Sequence, residues 1–101
     1  MRMRLFNRTN VAVSEVGLGT WQLGGTEWGE VSDQQAMDTL LAAAEAGITF
    51  IDTADIYGGT DSETFLGRVL EGRRDRVVVA TKFGMPIDDD RPGGADPAYV
   101  R

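Results

Sequence analysis

Ile48-Thr49-Phe50-Ile51-Asp52 is a short apolar run that closes on a carboxylate. Three β-branched residues and a phenylalanine favour a buried strand, and the run is too short for a helix. The flanks decide what kind of strand it is. Upstream, Ser32 and Gln35 form a capping box, and Asp33 adds negative charge to the first helical turn. Ala36, Leu40, Ala43 and Ala44 then recur at helical spacing, and Gly47 stands where a helix would stop. Downstream the grammar repeats. Thr60 and Glu63 make a second capping box, Phe65, Leu66, Val69 and Leu70 a second stripe, and Gly72 a second stop. Val77-Val78-Val79-Ala80 follows as another buried strand and runs into Thr81-Lys82. Helix and strand alternating in this way describe a parallel sheet with crossover helices.

Further out, Val16-Gly17-Leu18-Gly19-Thr20 is too rich in small residues for a helix and reads as a buried strand. Met3 to Phe6 and Val11 to Val13, on either side of Asn7-Arg8-Thr9-Asn10, read as a short hairpin. Trp21 to Val31 and Gly84 to Ala95 read as loops. Asp96-Pro97 opens a third helix, with Asp as N-cap and Pro in the first helical position. The strands begin near positions 16, 48 and 77, a repeat of about 30 residues, which is the size of one βα unit. Parallel strands need both faces covered, and three strands with two complete helices do not close. Eight such units make about 250 residues. The expected class is therefore α/β, a (β/α)8 TIM barrel. Residues 1–101 would supply its N-terminal hairpin and about the first three βα units, as the N-terminal part of a single domain.

Composition narrows the chemistry. The 101 residues are 42% hydrophobic and 26% charged, as expected for one soluble globular unit. No apolar run approaches the roughly 18–20 residues that span a bilayer, and the N-terminus has no secretory h-region. The expectation is no membrane partner and a cytoplasmic location. The Asn7-Arg8-Thr9 sequon is then read as chance. With no Cys and no His, neither a disulfide, a thiolate or imidazole metal site, nor a Ser-His-Asp triad can be completed here. The net charge of −6 argues against a nucleic-acid partner. Gly17-Leu18-Gly19-Thr20-Trp21-Gln22 lacks the third Gly of a dinucleotide fingerprint, and no phosphate loop exists. Asp88-Asp89-Asp90 reads as a solvated acidic run, so no metal is expected. Trp21 and Trp28 read as lining a substrate pocket or covering a barrel rim.

Active-site side chains of such barrels sit at the C-terminal ends of the strands. Thr20, Asp52 and Lys82 occupy those places, and Tyr57 lies five residues beyond Asp52. Lys82 is the only lysine. Singly, each has an ordinary explanation: a turn cap, a loop aromatic, a solvated cation. Together they make chemical sense. Tyrosine has a reference pKa near 10, a neighbouring ammonium favours the phenolate, and a carboxylate orients and compensates the ammonium. Such a set suits protonation of an oxygen that is becoming negative, as when a carbonyl receives a hydride.

Several strings resemble those of the aldo-keto reductases: Gly17-Leu-Gly-Thr-Trp21, the run from Gly47 through Asp52-Thr-Ala-Asp-Ile-Tyr-Gly58, Ser62-Glu63 with Leu66-Gly67, and Val78-Val-Ala-Thr-Lys-Phe-Gly84. The resemblance covers the whole chain, including a hairpin that plugs the barrel floor. It implies reduction of an aldehyde or ketone, a small-molecule carbonyl substrate, by NADPH, with NADH as the alternative cofactor. It implies Tyr57 as general acid, Lys82 as the residue tuning it, and Asp52 as the partner of Lys82. Gly19, Thr20, Trp21 and Asp52 resemble positions at the nicotinamide end of the cofactor. The family's catalytic His, which ends the fourth strand, has no counterpart in these residues, so no turnover is expected of them alone. Two rivals keep the barrel: a regulatory or binding subunit without significant turnover, and a lyase using Lys82 as a Schiff-base lysine.

Overall fold

Asp52 closes the middle strand of a three-stranded parallel sheet. In the computed structural model, which describes residues 1–24 and 29–100, the chain opens with strands β1 (Met3–Leu5) and β2 (Ala12–Ser14), paired antiparallel as a hairpin. Next come β3 (Gly17–Gly19), helix α1 (Asp33–Glu45), β4 (Phe50–Asp52), helix α2 (Asp61–Val69), β5 (Val78–Ala80) and the single turn α3 (Pro97–Val100). The sheet order is β3-β4-β5, with Gly19 opposite Asp52 and Asp52 opposite Ala80.

That register sorts the side chains by period two. Leu18, Ile51 and Val79 form one row across the sheet. Ile51 is buried with Leu23, Ala36, Leu40, Leu66, Val69 and Leu70 between sheet and helices, and Leu18 and Val79 pack against the same cluster. The alternate rows, Gly17-Phe50-Val78 and Gly19-Asp52-Ala80, lie on the other face. On that face Phe6 of the hairpin meets Phe50, with ring centroids 5.6 Å apart. The Ser14 amide donates to the Thr49 hydroxyl (2.9 Å), and the Thr49 amide donates to the Ser14 hydroxyl (2.8 Å). These bonds fasten the hairpin to the N-terminal end of β4, the end away from Asp52.

The caps of α1 form as expected. Gln35 N–H donates to the Ser32 hydroxyl, and the Gln35 side chain accepts from Ser32 N–H. At the other end Gly47 adopts φ +82°. Its amide donates to Ala44 C=O, and the Ile48 amide donates to Ala43 C=O, the pairing of a Schellman stop. Ile48 and Thr49 are thus committed to helix closure and to the hairpin, and β4 begins only at Phe50. Asp96 caps α3 through a 2.8 Å bond from the Ala98 amide.

Two expectations are corrected. Thr60 and Glu63 do not form a capping box: Thr60 has φ +84° and makes no side-chain cap bond. A 3-10 turn, Tyr57–Thr60, leads the chain into α2 through left-handed Gly58 and Gly59, and this leaves Thr60 wrongly turned to reach the helix amides. Glu63 accepts from the Thr81 hydroxyl instead. Nor is β3 a buried strand. Gly17 and Gly19 are exposed and Leu18 half-buried, because the two glycines have no side chain to bury, and on their face the Phe50 ring stands against Gly17 while the space over Gly19 is open. Among the described residues no helix is long and apolar enough to cross a membrane.

Candidate active site

Backbone pairing beyond the regular strands assembles the site. Thr53 N–H donates to Ala80 C=O (2.8 Å) and Asp55 N–H to Lys82 C=O (3.3 Å), so the segments leaving β4 and β5 stay side by side. Asp52 and Lys82 are thereby brought together. Tyr57 arrives from the same exit of β4. Its amide bonds to Ala54 C=O, and its 3-10 turn brings Gly58 against the chain after β3. A Cβ on Gly58 would stand 2.9 Å from the Leu23 carbonyl oxygen. That close approach lays Trp21 beside Tyr57, with ring centroids 6.2 Å apart and an interplanar angle of 20°.

Lys82 Nζ lies at the centre. It donates to both carboxylate oxygens of Asp52 (2.9 and 2.8 Å), to the Thr53 carbonyl (2.9 Å) and to the Tyr57 hydroxyl oxygen (3.3 Å). It also sits 5.0 Å from the centroid of the Tyr57 ring. The Asp52 carboxylate, chiefly through its hydrogen bonds, holds the Lys82 ammonium above the ordinary lysine range; partial desolvation opposes it and Tyr57 adds to it. The Tyr57 oxygen accepts from Lys82, which leaves the phenol's own proton to be donated elsewhere. The cluster thus presents a phenol beside a compensated cation, an arrangement suited to protonating a developing oxyanion.

The sequence places Thr20 at the mouth as well; the structure does not. Gly19, not Thr20, stands opposite Asp52, so Thr20 alternates with Leu18 onto the helix side of the sheet and is 0% exposed. Its hydroxyl donates to the Asp52 carbonyl (3.1 Å) and lies 3.2 Å from the Ser62 hydroxyl. A side chain so enclosed supports Asp52 from behind. Gly19 remains on the open face, with no atom within 4 Å of where a Cβ would stand. Trp21 is half-exposed at the mouth, while Trp28 lies outside the described residues. Asp88 is bound to Arg91, and among the described residues no group of three acids, His or Cys could hold a metal. Residue spacing alone missed Thr53, whose carbonyl holds Lys82 and whose hydroxyl lies 3.1 Å from Ser62. The strand-end pairs Asp52-Thr53 and Thr81-Lys82 were the available signal.

Comparison with known proteins gives a consistent picture. Residues 15–101 match the model of the Aldo/keto reductase family. The chain is 45% identical over 79 residues to the aldo-keto reductase YhdN of Bacillus subtilis, covering 76% of this chain and 24% of that protein. It is 36% identical over 104 residues to the uncharacterized oxidoreductase YqkF of the same organism, covering 100% of this chain and 32% of the relative. Among solved structures, the holo form of aldo-keto reductase AKR11C1 from Bacillus halodurans superposes with a TM-score of 0.79 at 32% identity, covering 99% of this chain and 33% of that one. The chain thus spans a quarter to a third of the length of the relatives it matches.

Proposed function

The chain belongs to the aldo/keto reductase family, and from that premise we propose that it carries the proton-delivering part of an NAD(P)H-dependent carbonyl reductase. The observation that carries this reading is the single ammonium of Lys82 bonded at once to Asp52, the Thr53 carbonyl and the Tyr57 hydroxyl. Tyr57 binds the oxygen of an aldehyde or ketone and gives it a proton as that oxygen becomes an alkoxide. Lys82 then donates to the phenol oxygen as it takes on charge, and Asp52 keeps Lys82 protonated and aimed. The substrate class is a small carbonyl compound. The strands continue as a (β/α)8 barrel, whose mouth this cluster lines.

The residues at the mouth fit a nicotinamide. The space over Gly19 is open and lies beside Asp52, and Trp21 is exposed at the same mouth. Those three would hold its nicotinamide end, and once bound the cofactor supplies the hydride to the carbonyl carbon. The resemblance favours NADPH over NADH. The Schiff-base rival requires a neutral amine, and an ammonium held up by a bidentate carboxylate disfavours it.

The test uses the full-length protein with NADPH and an aromatic aldehyde. NADPH oxidation and alcohol formation should proceed one for one, and Lys82→Met should lower the rate about 10²-fold or more. Borohydride added with the aldehyde should leave no adduct on Lys82. An adduct on Lys82 without NADPH oxidation would favour the lyase, and tight NADPH binding without turnover the regulatory subunit.

A further inference from the structure

Each strand of the parallel sheet is followed by a threonine: Thr20 after β3, Thr53 after β4, Thr81 after β5. All three bond to the first turn of α2. Ser62 lies 3.2 Å from the Thr20 hydroxyl and 3.1 Å from that of Thr53, and Glu63 accepts from the Thr81 hydroxyl. The hydroxyls of Thr20, Thr53 and Ser62 are sealed from solvent, these residues being 0%, 1% and 2% exposed. Their protons can be placed by counting, because a hydroxyl donates only one. The Thr20 proton goes to the Asp52 carbonyl. The Thr20–Ser62 contact must then use the proton of Ser62, and the Ser62–Thr53 contact that of Thr53. The result is a one-way chain, Thr53 to Ser62 to Thr20 to Asp52 C=O, in which each bond polarises the next.

From this geometry we propose that Ser62 and Glu63 are positioning residues that hold Asp52, Lys82 and Tyr57 as one cluster, by tying the exits of β3, β4 and β5 to a single helical turn. The proposal rests on the reductase reading above. Its force comes from where Tyr57 sits. The 3-10 turn Tyr57–Thr60 runs directly into α2, so Tyr57 moves with that helix, whereas Asp52 and Lys82 move with the strands. Ser62 and Glu63 join the two bodies. They fix the 3.3 Å separation of Lys82 Nζ from Tyr57 without touching either group.

The experiment compares Ser62→Ala, Glu63→Ala and Glu63→Gln with the parent in the full-length protein. It measures kcat, NADPH affinity, and the titration of Lys82 followed by NMR with 15N-lysine. Glu63→Ala loses one hydrogen bond and Ser62→Ala loses two, so kcat should fall about 5- to 10-fold in the first and further in the second, with NADPH affinity unchanged in both. Lys82 should also titrate at a lower pH, because its partners are less firmly held. Glu63→Gln should restore the parent values, since its amide oxygen still accepts from Thr81. A merely structural role would lower thermal stability and leave kcat of the folded protein and the Lys82 titration alone; that result overturns the proposal. If Ser62→Ala does not fold, Glu63→Ala decides, because Glu63 is exposed. If the parent reduces no carbonyl, the reductase reading fails, and the Lys82 titration still decides for or against the tie.

Discussion

Lys82 answers a carboxylate on one side and a phenol on the other, and its charge state links the chemistry to pH. Its folded-state pKa is raised, first by the hydrogen bonds to Asp52. For a raised pKa, the pair's contribution to stability is complete below the ordinary lysine value and is lost as pH rises through the folded value. Asp52→Asn should therefore bring the titration of Lys82 down. The alkaline limb of the rate profile should move to lower pH, as kcat measured across the alkaline range will show. An unmoved limb would mean that Asp52 does not govern Lys82. Stability should change little in the same variant. The two side chains are 50% and 44% exposed, and pairs so open to solvent contribute about 0–1 kcal/mol. Asp52→Asn should also slow reduction less than Lys82→Met does, because the amide still presents one oxygen to the ammonium.

Helix starts show where local sequence governs and where the fold overrides it. Ser32 and Gln35 complete their box from residues three apart, so the pattern could be read without any tertiary knowledge. Thr60 and Glu63 carry the same pattern, yet two left-handed glycines precede Thr60 and twist it out of the capping conformation. In urea denaturation of the full-length protein, Ser32→Ala should cost about 1 kcal/mol, and Thr60→Ala less than about 0.5 kcal/mol, since it removes no bond and no β-branch is needed at positive φ. Equal losses would contradict this account of α2. Gly58→Ala should cost more, about 1–3 kcal/mol, because it combines φ +61° with a Cβ only 2.9 Å from the Leu23 oxygen; its urea midpoint measures that. The same contrast runs through the site. The alternation of strands and helices placed Asp52, Tyr57 and Lys82 near one mouth. Thr20 was misplaced because it stands one residue beyond the Gly19–Asp52 pair, so the strand's alternation puts it on Leu18's side, facing the helices. The hydroxyl chain joins residues 20, 53 and 62, and no local pattern encodes so distant a pairing.

Taken as a whole, the molecule has one face of its sheet packed and one largely open. Helices cover the side of Ile51, while Leu5, Phe6 and Val16 near the other face are exposed. Among the described residues β5 pairs only with β4, so its second edge offers unpaired backbone groups to any passing strand. Domains have about 5–15 kcal/mol of net stability, and a core of this extent is small. The 101-residue chain purified alone should associate on size-exclusion chromatography and lack a cooperative thermal transition; a monodisperse monomer with a sharp transition would show that it stands as a domain. The central claim concerns the cluster at the mouth of the sheet: Tyr57, held by Lys82, delivers the proton. The most direct measurement is carbonyl-dependent NADPH oxidation by full-length Tyr57→Phe, with NADPH binding followed by fluorescence. The account predicts a loss of at least about 10²–10⁴-fold in kcat with cofactor binding nearly unchanged. A variant that keeps most of its kcat contradicts it.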